Sequence, residues 1–143
     1  MVKVKGISLV ELMVVIALIA ILALSIFPLG RSWISNSKIT QTQKIILEAY
    51  SKTRNEALRN PNHVKGNTKA AVLQLESGEI VVNDSAGQLI WKSKIPTNVE
   101  VEFIDCSDVT NQVVLNNNAH RLTASCEGYT IQSAGGQDES GSF

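Results

Sequence analysis

The sequence predicts an α+β fold in which one long N-terminal α-helix lies on a small antiparallel β-sheet domain. Three observations predict it. Residues 7–29 hold one charged residue, Glu11, in a run that is otherwise almost entirely apolar. Residues 30–60 keep a helical period but turn amphipathic, and Asn60-Pro61-Asn62 ends them. From Ala71 onward the period falls to two, with turn residues between short runs. Helical and extended periodicities segregated in this way belong to helix-on-sheet architectures rather than to alternating βα units.

The apolar run comes first. An α-helix needs roughly 20 apolar residues to cross a bilayer, and 7–29 supplies them. The remaining sequence is too small to wrap such a helix on all sides. A carboxylate at that depth costs about 3 kcal/mol on insertion scales, so Glu11 reads as functional and requires a positive partner. Cutting the chain between Gly6 and Ile7 creates one. The new α-ammonium lies four residues from Glu11, one helical turn away, and is equally available to a neighbouring copy packed with a small axial stagger. Two other readings compete. A secretory signal peptide accounts for Lys3, Lys5 and Ala23-Leu24-Ser25, but the run is too long and Glu11 is badly placed. A plain uncut signal anchor leaves Glu11 unexplained.

Gly6 followed by Ile7-Ser8-Leu9-Val10-Glu11-Leu12-Met13 resembles the class III leader and first mature residues of type IV pilins and type II secretion pseudopilins. The resemblance implies that a prepilin peptidase cuts between Gly6 and Ile7 and N-methylates Ile7, with Glu11 as the fifth mature residue. Ile7 stands where Phe is usual. The implied partners are other pilin or pseudopilin subunits, the peptidase, the membrane and an inner-membrane assembly platform. The implied location is the inner membrane, with a periplasmic C-terminal domain, and then the filament.

The organisation expected is a cleaved leader at 1–6, a membrane and filament-core helix at 7–29, an amphipathic continuation at 30–60, a periplasmic sheet domain at 61–132 and a flexible tail at 133–143. Pro28 removes a backbone hydrogen bond. It either ends the span at the headgroups or, as the resemblance implies, marks a segment that unwinds on assembly. In the continuation, Ile39, Ile46, Tyr50, Thr53 and Ala57 form one stripe. The proline after Asn60 pushes that residue out of helical geometry. Thr53-Arg54-Asn55-Glu56-Ala57-Leu58 is similar to the helix end of GspH/FimT/FimU-type minor pilins and pseudopilins, although its charges also suit an ordinary helix terminus.

Residues 71–75 and 79–83 read as a hairpin around Ser77-Gly78, and 88–92 as a third strand. In 99–103, Val99, Val101 and Phe103 alternate with Glu100 and Glu102, which predicts one buried and one wet face. Further strands are expected at 112–115, 121–126 and 129–132. The polar run from Ser133 reads as flexible. Trp91 reads as core and Trp33 as a membrane-interface residue.

The chain holds 13 basic and 13 acidic side chains, and losing Lys3 and Lys5 with the leader leaves an excess of two acids. A nucleic-acid footprint needs a basic patch; none is visible, so nucleic acid is not expected as a partner. Cys106 and Cys126 would be free thiols or half of a metal site in a reducing cytosol. Beyond a membrane helix with Lys3 and Lys5 on its cytoplasmic side, they face an oxidising compartment and pair. His63 and His120 lack ligand spacing, and Asp105, Asp108, Glu127, Asp138 and Glu139 follow no calcium-loop pattern. No catalytic motif is present, so neither catalytic residues nor a cofactor or metal is expected.

The function expected is therefore that of a structural subunit, a minor pilin or minor pseudopilin near the tip or priming complex of a type IV pilus or type II secretion filament. The alternatives are a competence-type minor pilin that holds DNA and a major pilin subunit. A membrane-tethered periplasmic domain without a filament is a third reading.

Overall fold

The computed structural model of the chain describes residues 6, 8–107, 111–123 and 125–143, the side chains of 25–29 excepted. One helix, α1, runs from Leu9 to Arg59 without interruption, 51 residues and about 75 Å at helical rise. Seven strands follow: β1 (Ala71–Glu76), β2 (Glu79–Asp84), β3 (Leu89–Lys94), β4 (Val99–Ile104), β5 (Gln112–Leu115), β6 (Gly128–Ser133) and β7 (Glu139–Ser142). They form two antiparallel sheets, ordered β3-β2-β1-β5 and β4-β6-β7, and α1 lies against both.

The helix ends where the sequence places its stop. Asn60 adopts a left-handed conformation (φ 44°, ψ 58°), and its backbone N–H donates to the Glu56 carbonyl. Its side chain then brackets the turn: Oδ1 accepts from the Val64 N–H at 2.8 Å and Nδ2 donates to the Val64 carbonyl at 2.8 Å. Asparagine tolerates this conformation better than most residues, and the following proline cannot continue the helix.

The buried stripe of α1 comprises Ile39, Thr42, Ile46, Ala49, Thr53, Glu56 and Ala57. It faces Leu73, Ile80, Val82, Val113, Leu115, Phe103, Tyr129 and Ile131 from the two sheets. Small residues at 49 and 57 bring the helix backbone close to the strands. Thr42 and Thr53 are tolerated inside because each hydroxyl donates to a carbonyl four residues back, Lys38 at 2.9 Å and Ala49 at 2.8 Å. The β1–β2 turn places both Ser77 (φ 50°) and Gly78 (φ 78°) in the left-handed region, as a two-residue type I′ hairpin requires.

Three sequence expectations are corrected. The strands divide into two sheets rather than one, because β6 pairs with β4 (Phe103 opposite Tyr129) and not with β5. Among the described residues of 121–126 the expected strand is not formed. The chain there meets β5 through one bridge, Leu115 to Arg121, and through the Leu122 N–H on the Val114 carbonyl and the Cys126 N–H on the Gln112 carbonyl, while Ser125 Oγ rather than a carbonyl accepts the Val114 N–H. The tail at 133–143 is ordered. Glu139–Ser142 pairs with β6, and Phe143 packs against Tyr50, Phe103 and Tyr129 with ring centroids 5.5, 5.1 and 5.4 Å away. Gly141 makes this possible, since a Cβ there would stand 2.5 Å from the Tyr129 hydroxyl.

Candidate assembly site

At its N-terminus α1 begins after Ser8, whose backbone is extended (φ −70°, ψ 142°) and whose side chain makes no capping bond. The Leu12 N–H closes the first turn on the Ser8 carbonyl at 3.1 Å. Glu11 sits in that turn, where a carboxylate suits the unsatisfied N–H groups and the positive end of the helix dipole. Its neighbours Leu9, Val10, Leu12 and Met13 are all more than half exposed, and every described side chain from Leu9 to Leu24 is exposed around the full circumference of the helix. The ion pairs among the described residues are Arg59–Glu56, Lys92–Glu79 and Arg121–Glu127, and none involves Glu11.

Gly6 is exposed with open space around it. Ile7, the expected partner of Glu11, and the leader residues 1–5 lie outside the described residues, as does the side chain of Pro28. The backbone at position 28 is helical. Among the described residues no helix is long and apolar enough to cross a membrane. The expected span over 7–29 reaches beyond the described set at both ends, through Ile7 and the side chains of 25–29.

Cys106 and Cys126 form a disulfide across a sequence separation of 20. It joins the end of β4 to the approach to β6, beside the bond from the Glu127 N–H to the Ile104 carbonyl. In the helix-end motif the structure separates the residues by role. Thr53, Glu56 and Ala57 are buried against the sheets, whereas Arg54, Asn55 and Leu58 are exposed.

His63 and His120 are exposed. Asp108 lies outside the described residues, and among those described no group of three or more His, Cys, Asp or Glu is placed to hold a metal. Asp84 has a structural task. Its Oδ1 accepts from Gln88 N–H at 2.7 Å and Ala86 N–H at 2.9 Å, and its Oδ2 from Asn62 Nδ2 at 3.0 Å. The Gln88 N–H above all, then the Asn62 amide and the Ala86 and Gly87 N–H groups, hold its carboxyl below the ordinary carboxylate value, against an opposing push from burial.

Residues 1–27 match the family model for the prokaryotic N-terminal methylation motif. A long helix on antiparallel sheets agrees with that match. The chain fits a type IV pilin-like protein. No curated protein and no solved structure matched. The family match ends within the helix, so the sheet domain of this chain is described by its own structure alone. The motif implies a membrane-anchored protein, processed by a prepilin peptidase and assembled with other pilin subunits, and the type IV pilin-like family is structural rather than catalytic.

Sequence reasoning missed two features. One is the aromatic cluster closed by Phe143, signalled only by a lone aromatic at the end of a polar run. The other is a groove between α1 and the turns at 96–98 and 133–138, whose residues are too far apart in the chain for any motif to announce them.

Proposed function

We propose that this pilin-like chain is a minor pilin or minor pseudopilin, a structural subunit of a filament assembled at the inner membrane, near its tip or priming complex. The chain is cut between Gly6 and Ile7, and Ile7 is N-methylated. Residues 7–29 then hold it in the membrane as a single span, and afterwards in the filament core. Glu11 carries the reading: an exposed acid one turn inside a helix that is otherwise exposed and apolar from Leu9 to Leu24. Such a group meets its need for a cation by pairing with the Ile7 ammonium of a neighbouring subunit. A buried pair of that kind adds little net stability but fixes register well. Pro28, unable to donate a backbone hydrogen bond, is the point at which the helix loosens on assembly. The Cys106–Cys126 disulfide supports an oxidising compartment for the sheet domain. The small sheet domain and the motif at 53–58 favour a minor over a major subunit.

The test is the intact mass of the protein extracted from membranes, with identification of what co-purifies. Loss of residues 1–6 plus one methyl group is expected, and the neighbours tell pilus from secretion system. Glu11→Ala should be processed and membrane-bound yet fail to enter filaments. Normal incorporation of that variant refutes the register role, and a mass that still includes Met1 refutes the processing.

A further inference from the structure

An open groove of about 710 Å³ lies where the domain first takes hold of α1. Arg31, Ser35 and Lys38 line one wall, spaced four and three residues apart and so on one helix face. Glu100, Gln132 and Asp138 line the other side. Long-range hydrogen bonds build the groove. Ser35 Oγ donates to the Ala134 carbonyl at 2.9 Å, Lys38 Nζ to the Thr97 carbonyl at 2.9 Å, and Ser133 Oγ to the Asn98 carbonyl at 2.8 Å. The groove thus holds two cations and two anions, and none of the four is in an ion pair among the described residues.

Its place along the helix selects a ligand. At helical rise, Arg31 lies only about 3 Å beyond Leu29 and Lys38 about 14 Å beyond it. Side chains on a helix lean toward its N-terminus, so the Lys38 stem leans back toward the level of Arg31. Trp33, at that same level, is 75 % exposed, as a residue anchored in the interfacial layer is. The headgroup layer is roughly 6 Å deep on each side of the bilayer, so with the span ending at Leu29 the Arg31 end of the groove falls within it.

The geometry points to a phospholipid headgroup site: a phosphate held by Arg31 and Lys38, and the ammonium of a zwitterionic headgroup held by Glu100 and Asp138. This rests on the membrane-anchored reading above. Guanidinium and ammonium groups bind phosphate through charge-assisted hydrogen bonds, and the two carboxylates make an ethanolamine headgroup preferable to a purely anionic one.

Native mass spectrometry of the full chain in detergent tests it, with phosphatidylethanolamine, phosphatidylglycerol, glycerophosphoethanolamine and inorganic phosphate as separate probes, alongside flotation with phosphatidylethanolamine vesicles. A one-to-one phosphatidylethanolamine adduct is expected. Arg31→Gln with Lys38→Gln should weaken it at least about tenfold, and Glu100→Gln with Asp138→Asn should erase the preference over phosphatidylglycerol. Lys44→Gln with Arg54→Gln, the same charge change elsewhere on the helix, should leave the adduct intact. Flotation without a specific adduct overturns the site and leaves the membrane reading standing. Failure to float overturns both, even if glycerophosphoethanolamine binds. Displacement of the adduct by equimolar inorganic phosphate reassigns the groove to free phosphate and also overturns the proposal.

Discussion

Phe143→Ala should cost the domain about 3 kcal/mol, the lower end of the range for removing a core phenylalanine, since Phe143 is only half-buried. The figure follows from its three ring contacts, at 5.1–5.5 Å, which join residues from α1, β4 and β6. Each aromatic pair contributes on the order of 0.5–1.5 kcal/mol beyond the area it buries. The backbone bond from the Phe143 N–H to the Glu127 carbonyl survives the substitution, so only the ring is removed. For a domain of this size the loss corresponds to a fall in Tm of roughly 12–24 °C. Thermal melting followed by near-ultraviolet circular dichroism on the full chain in detergent is the assay, because that signal reports aromatic packing and not the apolar half of the helix. Phe143→Leu, which keeps apolar volume but loses the ring pairs, should fall between. A drop in Tm below about 3 °C for Phe143→Ala would mean that the ring is not seated among Tyr50, Phe103 and Tyr129. A double-mutant cycle with Tyr50→Ala should show coupling of about 1 kcal/mol if the tail ties helix to sheet.

Replacing both Cys106 and Cys126 with Ser should lower stability by about 3 kcal/mol, read as a shift in urea midpoint that a reductant reproduces on the unmodified chain. Gly141→Ala should destabilise by about 1–3 kcal/mol, because the new methyl meets the Tyr129 ring, and the near-ultraviolet spectrum should change with it. Asp84 gives a pH signature. Its carboxyl is held below 3.8 in the folded turn, so its contribution is complete above that value and is lost as pH falls through the lower folded value. The urea midpoint of the unmodified chain should therefore fall more between about pH 7 and about pH 2.5 than that of Asp84→Asn, which keeps an acceptor for Ala86 and Gln88 but does not titrate.

The elements announced by a local rule were legible. Asn60-Pro61 stops the helix because the geometry of two residues is enough, and Ser77-Gly78 sets the first hairpin for the same reason. The alternation in 99–103 gave the right face, with Phe103 buried and Glu100 and Glu102 exposed. The helix stripe was read from Ile39, Ile46, Tyr50, Thr53 and Ala57, of which Tyr50 is half-buried, but Thr42 and Glu56 did not look like interior residues. A threonine hydroxyl satisfied by its own helix leaves no sign in composition. Residues 121–126 had the composition of a strand, but the Ser125 hydroxyl takes the Val114 N–H that a ladder carbonyl would accept. β7 was invisible for the opposite reason: Glu-Ser-Gly-Ser has no strand preference of its own, and its pairing depends on Tyr129 and Phe143 closing over a glycine. Glu11 stands out in the sequence because a charge among apolar residues is costly wherever it lies. The groove was not, because its lining comes from three segments brought together only by the fold.

The ordered tail also changes where the helix becomes independent of its domain. Gln137 N–H donates to Asn36 Oδ1 at 2.9 Å, Ser35 Oγ donates to Ala134, and Gln43 Nε2 donates to Glu139 Oε1 at 3.3 Å. These contacts hold the helix from position 35 upward, about four residues before the buried stripe begins at Ile39. Without them the first fixed turn would start near Ile39, leaving one more turn of helix free between the apolar segment and the domain. An unbroken helix from Leu9 to Arg59 joins the domain to Glu11, about 36 Å below Ser35 along the axis. Where Glu11 sets register, as proposed above, and until the helix loosens at Pro28, the polar residues of the tail would decide how tightly the domain's orientation is passed down the helix.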